Sequence, residues 1–189
     1  MRTIIIATLI SALGTTALAA EGDDAKPDSA AYREPVLITS VGQAADILIM
    51  KGLALRAGLK AEVRPLATAD SLEGFATLIL VAGGSSKGMG AAKVDVSREH
   101  SRVNRLIEVA RDKSVPIITF HIGGEARRGA LSDPFNRQAA LAAERIVVAG
   151  DGDRDEFFKK IAADDEAEYL HIDKSIEVVK VLKGLFGKE

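Results

Sequence analysis

Apolar residues return in two rhythms along this chain. Short unbroken runs alternate with stretches in which apolar positions recur every three or four residues. Val36-Leu37-Ile38-Thr39 is the first short run and predicts a strand. Gln43 to Ala57 follows in helical rhythm, carried by Ala44, Ile47, Leu48 and Leu55, with Gly58 as the stop. Ala61 to Arg64 alternates as a second strand and is shut off by Pro65. A helical turn near Asp70 to Glu73 leads into Thr77-Leu78-Ile79-Leu80-Val81. That run is continuously apolar and β-branched, as a central parallel strand covered on both faces requires. Ser97 is placed to cap a helix reaching Arg111, with Val103, Leu106, Ile107 and Ala110 as its buried stripe. Pro116 to Phe120 is the fourth strand. Asp133-Pro134 opens a helix ending near Ala143, and Arg145 to Val148 is the fifth strand. A helix over 153–162, an edge strand over 169–172 and a helix over 175–185 complete the pattern.

Strand and helix alternating this often predict one open parallel sheet of five to six strands with helices on both faces, a flavodoxin-like or Rossmannoid α/β fold. Right-handed crossovers and the order 2-1-3-4-5 are expected. In such sheets ligands sit beyond the carboxyl ends of the strands, at the switch between strands one and three. The domain is expected over residues 34–187.

Composition narrows the function classes. The chain has 189 residues, 47% hydrophobic and 28% charged, the usage of an ordinary globular domain. No cysteine is present, which excludes disulfides, thiolate metal sites and cysteine nucleophiles. A net charge of -2 gives no sign of a nucleic-acid partner. Aromatic residues make up 4%, with no Trp, which weakens any reading that needs base or flavin stacking.

The N-terminus reads as an address. Met1-Arg2-Thr3 is a basic start, Ile4 to Ile10 an apolar run, and Ala17-Leu18-Ala19-Ala20 a small-residue cleavage site. The apolar run falls short of the roughly 20 residues a spanning helix needs. Residues 1–20 are therefore expected to be an export signal and 21–33 a flexible lead-in. In a Gram-negative cell the product would be periplasmic.

Three loops at the carboxyl ends of strands one, three and four carry the unusual chemistry. In Thr39-Ser40-Val41-Gly42-Gln43, Ser40 can cap the following helix or bond a ligand. Gln43 and Asp46 are expected in that helix's first turn, reaching the crevice. In Gly83-Gly84-Ser85-Ser86-Lys87-Gly88-Met89-Gly90, four glycines would let N–H groups converge on an anion, with two hydroxyls and a lysine added. In His121-Ile122-Gly123-Gly124-Glu125-Ala126-Arg127-Arg128-Gly129, the arginine forks suit a carboxylate or phosphate. Glu125 could orient an arginine or bond a hydroxyl. The ligand-binding set is thus Ser40, Gln43, Gly84, Ser85, Ser86, Lys87, Gly88, His121, Gly123, Gly124, Glu125, Arg127 and Arg128.

Several known motifs are missing. Met89 stands where a Walker loop needs lysine, and no G-x-G-x-x-G or G-x-S-x-G occurs at these loops. His100, His121 and His171 lack metal-ligand spacing, so neither a metal nor a cofactor is expected. Asp151 to Asp155 resembles the start of a calcium loop, but Glu156 takes the glycine position, and the run reads as an acidic helix start.

At these same motifs the sequence resembles an uncharacterised family of exported bacterial proteins, a domain of unknown function. The likeness rests on Glu34 to Gln43, Gly83 to Ala92 and His121 to Asp133. It implies export and a compact α/β fold, and brings no activity or catalytic residue.

The reading that follows is an exported binding module for a small anionic or polar solute, accessory to a membrane transporter if it serves one. Two rivals remain. One is a cofactor-independent hydrolase using Ser85 or Ser86 with His121, Glu125 assisting. The other is a docking protein for a membrane partner, which requires an exposed apolar patch beside the loops.

Overall fold

The computed structural model describes residues 31–189. The expected export signal, and the expected lead-in as far as residue 30, lie outside them. Six parallel strands form one sheet in the order β2-β1-β3-β4-β5-β6. They are β1 (Val36–Val41), β2 (Ala61–Val63), β3 (Thr77–Ala82), β4 (Ile117–His121), β5 (Arg145–Ala149) and β6 (Glu168–Ile172). The helices are α1 (Asp46–Arg56), α2 (Ser86–Ala91), α3 (Val96–Asp112), α4 (Asp133–Ala140), α5 (Phe157–Asp164) and α6 (Val178–Leu185). The expected strand order therefore holds, with β6 added at the far edge.

Alternation along the strands splits the core in two. Leu37, Val41, Leu78 and Leu80 face a layer built from Val103, Leu106, Phe135, Ala139, Phe158 and Ile161 on α3, α4 and α5. Val36, Ile38, Ile79 and Val81 face Ile47, Met50, Val178 and Leu182 on α1 and α6. Every residue of β1 and β3 is buried, which explains their unbroken apolar runs. Tyr32 and Arg33 already belong to this body. The Tyr32 N–H donates to the Leu185 carbonyl at 3.1 Å, and the Arg33 carbonyl accepts from the Thr77 hydroxyl at 2.7 Å.

Four local expectations change. The cap of α3 is Asp95, which accepts from the Arg98 N–H at 2.8 Å, not Ser97. α1 begins at Asp46 because Gln43 takes a left-handed backbone at φ 58° and bridges to Gly84. On α1, Leu48 and Leu55 point outward, and Met50, Leu53 and Ala54 fill the core instead. α5 begins at Phe157, while Asp153 reaches forward to accept from the Phe158 and Lys159 N–H groups at 2.7 and 3.1 Å. The acidic run before α5 thus caps a helix.

Candidate functional site

The register sets β1 and β3 level, Val41 beside Ala82, so their following loops leave side by side. The Gly83 N–H donates to the Val41 carbonyl at 3.0 Å and the Ser85 N–H to the Gly42 carbonyl at 2.8 Å. Gly42 sits at φ +92°, and a Cβ there would lie 2.7 Å from the Gly83 oxygen. Glycine at 42 is thus required twice, by its backbone angle and by this approach.

The glycine-rich stretch is not an open anion cradle. Residues 86–91 are helical, and Ser85 caps that helix by accepting from the Gly88 N–H at 3.0 Å. The Gly84 N–H donates to the Ser132 hydroxyl at 3.2 Å, and that hydroxyl is 3.3 Å from the Gly84 carbonyl. The N–H groups of Gly83, Gly84, Ser85 and Gly88 are therefore spent inside the protein. A Cβ at Gly84 would lie 2.9 Å from the Leu131 carbonyl oxygen, and one at Gly88 would collide with that of Gln43. These glycines serve close packing. Ser86 and Lys87 stand exposed.

Ser40 does not cap α1. It lies within β1, fully buried, and its hydroxyl has no partner among the described residues. Gln43 is buried as well, its amide donating to Glu99 at 2.9 Å and to the Pro65 carbonyl at 3.1 Å. Glu99 and Arg102 are functional-looking residues that the loop motifs did not reveal. Glu99 is wholly buried and also accepts from the Gly42 N–H at 3.0 Å. Burial pushes its carboxyl up, but the Arg102 guanidinium, the Gln43 amide and the Gly42 N–H together hold it below its ordinary value. Arg102 spends its fork on Glu99, the Ser40 and Ala67 carbonyls and the Thr39 hydroxyl. The E-x-x-R spacing on α3 was visible in sequence. Its burial depends on β1 and cannot be read from a helix alone.

His121 ends β4 with no exposure. Its Nδ1 lies 3.2 Å from the Ala82 carbonyl and its Nε2 3.1 Å from the Gly124 carbonyl. Phe158 packs on it at 4.8 Å between ring centroids. A Cβ at Gly152 would sit 2.6 Å from the ring. Burial outweighs the two carbonyls and lowers its pKa. Ser85 and Glu125 do not bond to the imidazole.

The paired arginines behave differently. Arg128 contacts Asp133, Asp155 and the Gly152 carbonyl, at 2.8, 2.9 and 2.7 Å, and lies 4.5 Å over the Phe157 ring. Its bond to Asp155 raises its own pKa and lowers that of Asp155 to about 2. It is neutralised, and the expected role in holding an anion passes from it. Glu125 pairs with Arg154 at 3.1 Å, and its N–H donates to Asp151 at 2.9 Å.

Arg127 is where the three loops meet. Its chain passes over Gly83 beyond β3 and Gly123 beyond β4, so closely that a Cβ at 123 would overlap it. Its Nε donates to Asp46, at the start of α1, at 2.8 Å. Asn136 holds its carbonyl at 3.0 Å. The terminal guanidinium nitrogens have no hydrogen-bond partner among the described residues, and 30% of the side chain is exposed. The switch point thus presents one fixed guanidinium with donors to spare. No group of three or more metal-ligating side chains occurs among the described residues.

The model of the family described as Domain of unknown function (DUF6305) matches residues 33–186. The chain belongs to that family. The resemblance noted from the motifs is borne out to that extent. No curated protein matches the sequence. Among solved structures, the DUF6305 chain is similar to a GDSL-like lipase from Bacteroides thetaiotaomicron, at 8% identity and a TM-score of 0.35, covering 72% of this chain. The match spans 66% of the lipase chain, just under two thirds of its length. A mutant of the esterase AlinE4 matches at 10% identity and a TM-score of 0.29, covering 78% of this chain and 80% of the esterase chain. Likeness this loose brings no activity with it.

Proposed function

We propose that this DUF6305 domain is an exported binding module for a small polar solute bearing a carboxylate or another oxyanion, gripped by Arg127. The Arg127 fork carries the reading. Asp46 and Asn136 hold it at the switch point, and its terminal donors remain unspent among the described residues. A planar fork suits a two-oxygen anion, and prior positioning lowers the entropy lost on binding. Lys87, exposed on α2, adds a second positive charge on that edge. Export rests on the layout of residues 1–20, and a periplasmic location follows in a Gram-negative cell.

The hydrolase reading finds less support. A base must reach the proton it removes, and the His121 nitrogens both face main-chain carbonyls in a closed pocket.

The test is a thermal-shift screen of carboxylates, phosphates, amino acids and sugar acids. Wild type is compared with Arg127→Lys and Lys87→Gln. A ligand at about 100 times its Kd adds about 2.7 kcal/mol of stability. The expected result is an oxyanion that raises the wild-type Tm and fails to raise that of Arg127→Lys. A hit unaffected by Arg127→Lys, or no hit among the oxyanions, overturns the assignment.

A further inference from the structure

α1 is apolar on the wrong side as well as the right one. Ile47, Met50, Leu53 and Ala54 face the core, yet Leu48, Ile49 and Leu55 are 66%, 49% and 78% exposed. A solvated helix ordinarily carries polar residues on that face. Leu48 and Leu55 are two turns apart on one line, about 10.5 Å along the axis. Exposed Ala45 and Gly52 leave them standing proud of the surface. Beside Leu55 the face runs into a pocket of about 320 Å³, lined by Ala54, Leu59, Ala61 and Val63, with Lys51 and Glu62 also in its wall and Glu62 neutralised by Arg64 at 2.7 Å.

The charge on this segment has one sign. Lys51, Arg56 and Lys60 are exposed, while Asp46, the one acid between Ala45 and Lys60, is turned in against Arg127. We propose that this face docks the domain on an anionic lipid surface, with α1 lying flat and Leu48, Ile49 and Leu55 entering the headgroup boundary. Protruding aliphatic side chains ringed by cations are the chemistry of interfacial helices. A second copy fits worse, since a two-fold contact through α1 would bring like cations together. The site is separate from the donors of Arg127, so either assignment can fail alone.

The experiment is cosedimentation of the full chain with vesicles of equal parts phosphatidylglycerol and phosphatidylcholine, and with phosphatidylcholine alone. Binding to the anionic vesicles that weakens with salt is expected. Each lysine near an anionic surface contributes about fivefold, so Lys51→Gln/Lys60→Gln should weaken partitioning roughly 25-fold. Leu48→Gln/Leu55→Gln should abolish it with the melting curve unchanged, because both side chains are exposed. Absence of wild-type binding overturns the proposal. So does equal binding by the leucine variant, which would assign it to the apolar run Ile4 to Ile10. A concentration-dependent dimer in sedimentation equilibrium that Leu48→Gln/Leu55→Gln dissolves would give the face to a second copy.

Discussion

Arg102, on α3, and Arg127, in the loop beyond β4, both reach the carboxyl edge of the sheet, and they have been put to opposite uses. Arg102 reaches from α3, with 10% of its side chain exposed, into a knot around a Glu99 that is wholly buried. Glu99 takes its charge, and main-chain carbonyls and a hydroxyl take its remaining donors. Arg127 reaches from the loop beyond β4, gives one donor to Asp46 and keeps the others. Arg128, the neighbour of Arg127 in sequence, falls with Arg102, because Asp133 and Asp155 enclose it. A guanidinium marks a site when its donors exceed its partners, and only the folded structure supplies that count.

The largest effect is expected at Glu99. Glu99→Ala leaves the Arg102 cation buried without its carboxylate, and the expected loss is about 3–5 kcal/mol by urea denaturation. A loss under 1 kcal/mol would mean that the knot is not closed. Next is Gly84→Ala, whose Cβ meets the Leu131 backbone at 2.9 Å. Over-packing of this kind costs about 1–3 kcal/mol, and here it should also unseat the loop above β3. If Gly84 only lent flexibility to an anion loop, alanine would leave stability unchanged.

Acid should weaken the buried and ion-paired groups in two stages. The folded pKa of His121 is depressed, so the unfolded chain binds a proton first as pH falls through about 6.5, and stability drops toward the folded value. Glu99, Asp133 and Asp155 are also depressed. Their contribution is full above the ordinary carboxylate range and fades as pH falls through their folded values, about 2 for Asp155. A Tm that declines from pH 7 to pH 5, and declines less in His121→Asn, would bear this out. A flat profile over that window would contradict the buried neutral imidazole. The smallest effect on stability belongs to Arg127→Lys, at about 0–1 kcal/mol, because its ion pair is partly exposed. The same variant should lose the ligand response, whereas an equal substitution at Arg102 should cost more stability and leave the response in place.

The sheet was largely legible in the sequence, because β1, β3, β4 and β5 are buried runs bounded by turn residues. Boundaries slipped where tertiary contacts intervened. Gln43 is held out of α1 by its bridge to Gly84 and its bond to Glu99. The convergence of three loops was legible too, since topology alone places them on one edge. Their chemistry was less so. Glycines at 84 and 88 look the same whether they free a backbone for a ligand or let two backbones touch. No sequence pattern assigned a role to Ser132, inside the His121 to Asp133 stretch, or to Asn136, yet they fix Gly84 and Arg127. The outward leucines of α1 were assigned to the core because helical spacing gives a stripe without its phase.

The most direct test of the account is an NMR titration of the arginine Nε–H signals of the full chain with the best oxyanion from the thermal screen. The Arg127 signal should shift in a saturable way while those of Arg102 and Arg128 stay fixed. A shift at Arg102 or Arg128 in place of Arg127, or none at any of the three, would contradict it.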